Sequence, residues 1–272
     1  MSKRALGQST FPVERCRFVL LIDAGNTKIK VAYAGEFDQS WFVVREGATG
    51  DALNHKVIKL LDGAHKPPLR VVLGCVADSA LADMFADQCR IRWGIEAETL
   101  RSSSRFGEVR NGYHQPEQLG VDRWAVLIAG WMRVRSSVVV ISCGTAITID
   151  TVLSDGSHQG GVILPGIRIA EESFYRHTGN QSTAVVARRE VFAKETSAAV
   201  ANGVFWSVVG GIRTVVERIV TQIGFPPAVL LTGGDAERIY PYVRGFLAGK
   251  LVNKVETVDH LVFEGMQWLA DQ

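Results

Sequence analysis

The sequence is short of several features that assign a chain to a class at sight. Its 272 residues hold four cysteines, Cys16, Cys75, Cys89 and Cys143, none of them in a CxxC pair. That spacing fits neither a zinc ribbon nor a disulfide framework, and free thiols suit a reducing cytosol. Charge of one sign is also missing: 30 Lys and Arg oppose 28 Asp and Glu, a formal net charge of +2. No strong field therefore marks a binder of nucleic acid or of an acidic membrane. Proline is scarce, 8 residues against 27 glycines, and 47% hydrophobic residues exclude a collagen-like or disordered chain. Residues 1–17 lack the apolar core of a signal peptide and read as a polar extension. The longest uncharged stretch, Thr196 to Ile212, is interrupted by Ser197, Asn202 and Ser207 and closed by Arg213. A membrane span needs about 20 mainly apolar residues, so this stretch reads as a buried helix. A soluble, cytoplasmic protein is expected, with no nucleic-acid or membrane partner. Two nucleotide signatures are absent as well: GxxxxGK[ST] does not occur, and no GxGxxG follows a strand. The P-loop and Rossmann readings lose their main support.

What the sequence does contain is repetition. FVLLIDAGNTKIKVAYAG from Phe18 and VVVISCGTAITIDTVLSDG from Val138 align Gly25 with Gly144, Asp23 with Ser142, and Ile22 with Ile141. Each reads as a β-branched strand, a glycine turn and a second, alternating strand, so a whole α/β unit is duplicated. Helices are expected over Asp51 to Gly63, from a cap at Asp78 to Trp93, over Val121 to Val134 and from Thr196 to Ile223. Strands are expected over Leu69 to Val76 and Ala228 to Thr232, and a loop over Arg101 to Gln115. Asp155-Gly156 marks a hairpin, and Pro165-Gly166 opens a helix. The boundary falls near Arg135: an extension (1–17), an N-terminal domain (18–135) and a C-terminal domain (136–272).

Three glycine turns carry chemistry. DAGNT at Asp23 to Thr27 exposes backbone N–H groups and leaves room for a phosphate. Its Asp23 is placed to hold hydrated Mg²⁺, and Thr27 and Lys30 to touch phosphate oxygens. SCGTAIT at Ser142 to Thr148 repeats the turn, with Thr145 as a hydroxyl donor. TGGD at Thr232 to Asp235 adds a third turn, at Gly233-Gly234, where a helix start can receive a nucleotide. One such turn alone is as well explained as an ordinary hairpin. Three in this order resemble the phosphate-1, phosphate-2 and adenosine motifs of the superfamily joining actin, sugar kinases and heat-shock chaperone ATPases. A fourth segment, YHQPEQLGVDRW from Tyr113 to Trp124, sets an acid beside a guanidinium. Phosphoryl transfer to an alcohol can use that pair, Asp122 to accept the hydroxyl proton and Arg123 to hold an anion, but taken alone the pair at a helix start reads more often as a cap and a surface charge.

DAGNTKIK, GVDR, GTAITID, HQGGVILPG and TGGD together resemble the type III pantothenate kinases, the group that also contains the Bvg accessory factors. The resemblance runs from about Val19 to the C-terminus. It implies two duplicated, ribonuclease H-like ATPase domains of α/β class with a nucleotide cleft between them. It implies ATP-dependent phosphorylation of pantothenate to 4′-phosphopantothenate, in coenzyme A synthesis. By the same resemblance Asp23, Gly25, Asn26, Thr27, Lys30, Thr145, Gly233 and Gly234 contact ATP. Tyr113, Gly120, Val121, Asp122 and Arg123 bind pantothenate, Asp122 being the proton acceptor and Arg123 the carboxylate partner. His177 and Thr196 look like residues that a neighbouring subunit supplies in a homodimer. Each also has an ordinary reading, His177 as a surface histidine and Thr196 as the N-cap of its helix. His158 is expected to be structural. One departure concerns the second loop, where the family reads D-x-G-T and uses its Asp to hold K⁺ or NH₄⁺. Ser142 stands there, and a hydroxyl is a weaker cation ligand than a carboxylate, so the cation requirement is open. Asp150 is expected to point elsewhere by strand alternation. Two rival functions stay open at this point: a nucleotide-binding accessory protein without catalysis, and a sugar kinase of the same superfamily.

Overall fold

The computed structural model describes residues 18–25, 27–34, 36–44, 51–64, 66–76, 79–178, 189–249 and 251–271. The N-terminal extension with Cys16, the nucleotide-loop residue Asn26 and the expected cap Asp78 lie outside the described residues. The chain forms two compact units, residues 1–100 and 101–272.

The first unit is a five-stranded sheet with helices. Its elements in order are β1 (Val19–Ala24), β2 (Lys28–Tyr33), β3 (Glu36–Val44), α1 (Asp51–Asp62), β4 (Arg70–Cys75), α2 (Ser79–Trp93) and β5 (Ala97–Thr99). The spatial order is β3-β2-β1-β4-β5. β2 runs antiparallel to β1 and β3, while β4 runs parallel to β1 and β5. Leu20 and Ile22 of β1 and Val71 and Leu73 of β4 alternate onto one face. There they pack against Leu53, Val57, Leu60 and Leu61 of α1 and Leu81, Phe85 and Cys89 of α2. The helical spacing in the sequence is thus the spacing of one buried face.

The second unit contains the short hairpin β6 (Arg105–Phe106) and β7 (Val109–Arg110), then α3 (Val121–Val134), β8 (Val138–Cys143), β9 (Ala146–Val152) and β10 (His158–Pro165). α4 (Ile167–Thr178), α5 (Thr196–Ile223), β11 (Ala228–Thr232), α6 (Ala236–Leu247), β12 (Lys254–Thr257) and α7 (Leu261–Ala270) complete it. Its large sheet has the order β10-β9-β8-β11-β12, strand for strand the order of the first unit. The pairing directions also correspond. Two sheets of identical topology, each begun by a matching strand and turn, are what an internal duplication produces.

Both faces of the second sheet are covered. Val139, Ile141, Cys143, Ile147 and Ile149 face α5 and α6 residues such as Phe205, Val209, Ile212 and Ile239. Val138, Val140 and Val152 face Trp124, Leu127 and Ile128 of α3 and Leu261 of α7. α5 is long and apolar enough, by composition, to cross a bilayer, yet Val200, Ala201, Phe205, Val208, Val209, Ile212 and Val216 along it are buried in this unit. Its apolarity is that of a core helix.

Three sequence expectations need correction. Because α3 packs on α7 and β8, it belongs with the second unit, and the compact units divide after Leu100 rather than near Arg135. The expected loop from Arg101 to Gln115 includes the β6–β7 hairpin. Thr196 is the first residue inside α5 rather than its N-cap; that position is Glu195, which makes no capping side-chain bond.

Candidate active site

In the first unit, antiparallel pairing sets Asp23 opposite Lys30. The result is an ion pair, Lys30 Nζ donating to Asp23 Oδ2 at 3.0 Å, with the carboxylate largely buried. Gly25 closes the turn by donating its N–H to the Lys28 carbonyl at 3.0 Å. Thr27 is half-buried beside it. The second unit's turn is one residue shorter: Ser142 faces Thr148, and Gly144 donates to the Ala146 carbonyl at 3.1 Å. So no lysine stands opposite Ser142. A carboxylate at 142 would lack the counter-ion that Lys30 gives Asp23, and serine removes that need.

The glycine turns of the second unit are tied together by backbone bonds. Asp235 donates its N–H to the Cys143 carbonyl at 3.0 Å, and Gly166 to the Thr145 carbonyl at 3.1 Å. Gly233 has φ +96°, and a Cβ there would sit 2.5 Å from the Cys143 carbonyl oxygen. Only glycine fits that crossing, which sets Gly233 and Gly234 beside the turn that carries Thr145. Cys143, between them, is buried, and burial first, then nearby Asp235, pushes its thiol up to about 12. It is a packing residue rather than a nucleophile.

A connected polar cluster lies at the start of α3. Asp122 is the second residue of the helix, and its Oδ1 accepts the N–H of Arg123 at 2.8 Å. Arg123 is buried, with 7% of its surface exposed. Its Nε and Nη2 donate to the two oxygens of Asp150 at 2.9 and 2.6 Å, and its Nη1 donates to Tyr113 Oη at 2.7 Å. Tyr113 is steered by Asn111, whose Oδ1 accepts the Tyr113 N–H at 3.0 Å and whose Nδ2 donates to the carbonyls of Ser103 and Pro116.

Asp150 corrects the alternation argument. Ser142 pairs with Thr148, and Asp150 lies two residues further along β9. It therefore shares the face of Thr148 and Ser142, the face covered by α3. A bulge in β10 between His158 and Gly161 brings Gly161 opposite Asp150. A Cβ at Gly161 would lie 2.2 Å from Asp150 Oδ1 and 2.3 Å from the Ile149 carbonyl oxygen, so the carboxylate occupies the space that glycine leaves. Burial works to raise the Asp150 carboxyl, but hydrogen bonds from His158 and Arg123 and the Arg123 charge hold it below the usual carboxylate range. Neither Asp150 nor His158 was assigned a role from sequence. The double glycine of the HQGG segment, which marks a bulge, was the available signal.

His177 and Thr196 do not join this cluster within one chain. His177 is exposed at the end of α4, its Nδ1 bonded to the Ser173 carbonyl at 2.8 Å, and Thr196 is exposed at the start of α5. An open depression of about 280 Å³, lined by Arg105, Glu108, Arg110, Trp131, Ser154 and Asp155, holds none of the expected site residues.

Comparison with known proteins decides the family. The sequence model of the type III pantothenate kinases matches residues 19–218. The chain belongs to the type III pantothenate kinase family. It is 32% identical over 262 residues to the type III pantothenate kinase of Nitrosococcus oceani, covering 93% of each chain. It is 32% identical over 255 residues to that of Thiobacillus denitrificans, covering 94% of this chain and 96% of the relative. Among solved structures it resembles a putative Baf family transcriptional activator from Campylobacter jejuni (TM-score 0.56, 20% identity, 93% and 97% of the two chains). It also resembles Lmo2764, a putative N-acetylmannosamine kinase from Listeria monocytogenes (TM-score 0.53, 14% identity, 93% and 98%). These likenesses share the fold of the actin and sugar-kinase superfamily. As a type III pantothenate kinase the chain is an ATP-dependent phosphotransferase that converts pantothenate to 4′-phosphopantothenate. The accessory-protein and sugar-kinase readings fall away.

Proposed function

We propose that Asp122 accepts the proton of the pantothenate hydroxyl as it attacks the γ-phosphorus of ATP, and that Arg123 and Tyr113 hold the pantothenate carboxylate. The observation that carries this is the first turn of α3, which sets a half-buried carboxylate next to a guanidinium fixed on three of its N–H groups. A guanidinium has five N–H groups, so one on Nη1 and one on Nη2 remain, a pair suited to a carboxylate. Gly120 and Val121 supply the backbone that opens the helix. The first unit's loop (Asp23, Gly25, Asn26, Thr27, Lys30) and the second unit's Thr145, Gly233 and Gly234 contact ATP.

Mg²⁺ fits Asp23. Lys30 occupies Oδ2, and Oδ1 has no protein partner among the described residues. Nor do three or more His, Cys, Asp or Glu side chains gather into a cage among the described residues. A single carboxylate completed by water and phosphate oxygens is the usual Mg²⁺ arrangement. Bound there, the ion would neutralise charge on the ATP phosphates. We further propose a cytoplasmic homodimer in which His177 and Thr196 reach the partner's substrate.

The test is a coupled assay with pantothenate, pantothenol, glycerol and hexoses as acceptors. Phosphorylation of pantothenate and rejection of glycerol and hexoses is expected. Arg123→Ala should raise the pantothenate KM more than it lowers kcat, because a carboxylate contact remote from the reacting hydroxyl acts in ground and transition states alike. Pantothenol, which lacks the carboxylate, should be discriminated far less by this variant; equal discrimination by both proteins removes the assignment of Arg123.

Ser142 yields a second expectation. Losing one full negative charge weakens a K⁺ site of neutral oxygens, so activation by K⁺ should be shallow or absent. Ser142→Asp, facing Thr148 instead of a lysine, should steepen it. Initial rates against K⁺ at constant ionic strength in sodium-free buffer decide; strong saturable activation of the wild type, unchanged in the variant, assigns the cation to other oxygens.

A further inference from the structure

We infer that His158, acting through Asp150, is a positioning residue for pantothenate: it fixes the Arg123 guanidinium so that its two remaining N–H groups face the substrate carboxylate. This rests on the reading of Arg123 given above.

His158 is buried and bonded at both ring nitrogens. The Gly112 N–H points to Nδ1 at 3.3 Å, and Nε2 lies 3.2 Å from Asp150 Oδ1. A backbone N–H can only donate, so Nδ1 must be the lone-pair nitrogen and Nε2 must carry the hydrogen that Asp150 accepts. One neutral tautomer satisfies both partners. The ring thereby ties three elements together: the loop that carries Tyr113, the bulge that opens β10, and β9 through Asp150. It also stacks on Tyr113, ring centroids 6.0 Å apart at 11°, while the Arg123 Cζ lies 5.5 Å from the Tyr113 ring centroid.

The consequence for Arg123 is geometric. Asp150 Oδ1 accepts from both Arg123 Nη2 and His158 Nε2, so the histidine sets the carboxylate plane, and that plane sets the guanidinium. Without the His158 bond the carboxylate could rotate about its Cβ–Cγ bond, and the side-on pairing with Nε and Nη2 would loosen. Tyr113 Oη would lose register with Nη1 at the same time, since His158 supports its ring. A residue that only filled space would not need both nitrogens.

Two isosteric variants separate positioning from packing. Glutamine places its amide nitrogen where Nε2 stands, whereas asparagine places its amide near Nδ1 and cannot reach Asp150. His158→Gln is expected to keep the pantothenate KM within about threefold of wild type, and His158→Asn to raise it roughly tenfold, the worth of a hydrogen bond to a charged group. In His158→Asn the ATP KM should stay unchanged, and the preference for pantothenate over pantothenol should fall by a similar factor. Urea midpoints of both variants are measured alongside. Equal KM values in the two variants, or parallel changes in the KM of ATP and pantothenate, overturn the inference and leave His158 a packing residue. If one variant does not fold, the other decides alone: asparagine with unchanged pantothenol discrimination, or glutamine with lost discrimination, overturns it. Arg123→Ala, assayed in the same series, distinguishes failures. If it leaves discrimination intact, the Arg123 reading itself has failed; if it abolishes discrimination while His158→Asn does not, only the role of His158 has.

Discussion

Asp122→Asn is expected to lower kcat by about 10²–10⁴, the usual worth of a positioned general base. The substitution keeps size and polarity, and an asparagine Oδ1 can still accept the Arg123 N–H that Asp122 accepts at 2.8 Å. The start of α3 should therefore persist, and ATP binding should stay within a few-fold of wild type. Steady-state rates with saturating pantothenate, beside nucleotide binding by calorimetry, check both halves. A loss of kcat below about fivefold would show that another group takes the proton. In phosphoryl transfer, positioning and electrostatics supply most of the acceleration. Residual turnover in the variant is the part that the loops and Arg123 provide.

Asp150→Ala should be the most destabilising of these substitutions, by about 3–5 kcal/mol, because it strands a buried guanidinium without its counter-charge. That is a large share of the about 5–15 kcal/mol by which a domain is normally stable. The pH dependence follows from the direction of the Asp150 shift. Its folded pKa lies below the unfolded value of about 3.9. The contribution to stability is therefore complete above that unfolded value and is lost as pH falls through the lower, folded one. Urea midpoints at pH 7, and in steps down through pH 4 and below, should show this acid-labile contribution in the wild type and its absence in the variant. A variant as stable as wild type at pH 7 would mean that the Arg123–Asp150 pair does no more than offset its own desolvation.

Much of the fold was legible because periodicity survives packing. α3, α5 and β11 end at the residues that the apolar pattern marked, and both sheets begin with the strands that the repeat aligned. The boundary was not legible, since nothing local in α3 says which sheet its apolar face will meet. The glycine turns could be read individually, but the bonds joining Cys143 to Asp235 and Thr145 to Gly166 span distant segments and have no local signature. Asp150 was misread for a related reason. Alternation along β9 assigns a face only once the pairing of Ser142 with Thr148 is known, and that pairing depends on a turn one residue shorter than its counterpart.

The Arg123–Asp150 pair also bears on what kind of recognition the pantothenate end receives. The positive charge of the guanidinium is already cancelled at 2.6 and 2.9 Å, so an incoming carboxylate would meet a rigid dipole with two hydrogens at its tip. Such a tip reads the spacing of two coplanar lone pairs more than it reads charge. Small anions of the cell, which would crowd an unpaired arginine, have less reason to settle there. On the reading proposed here, the site stays clear for its substrate because its cation is spoken for.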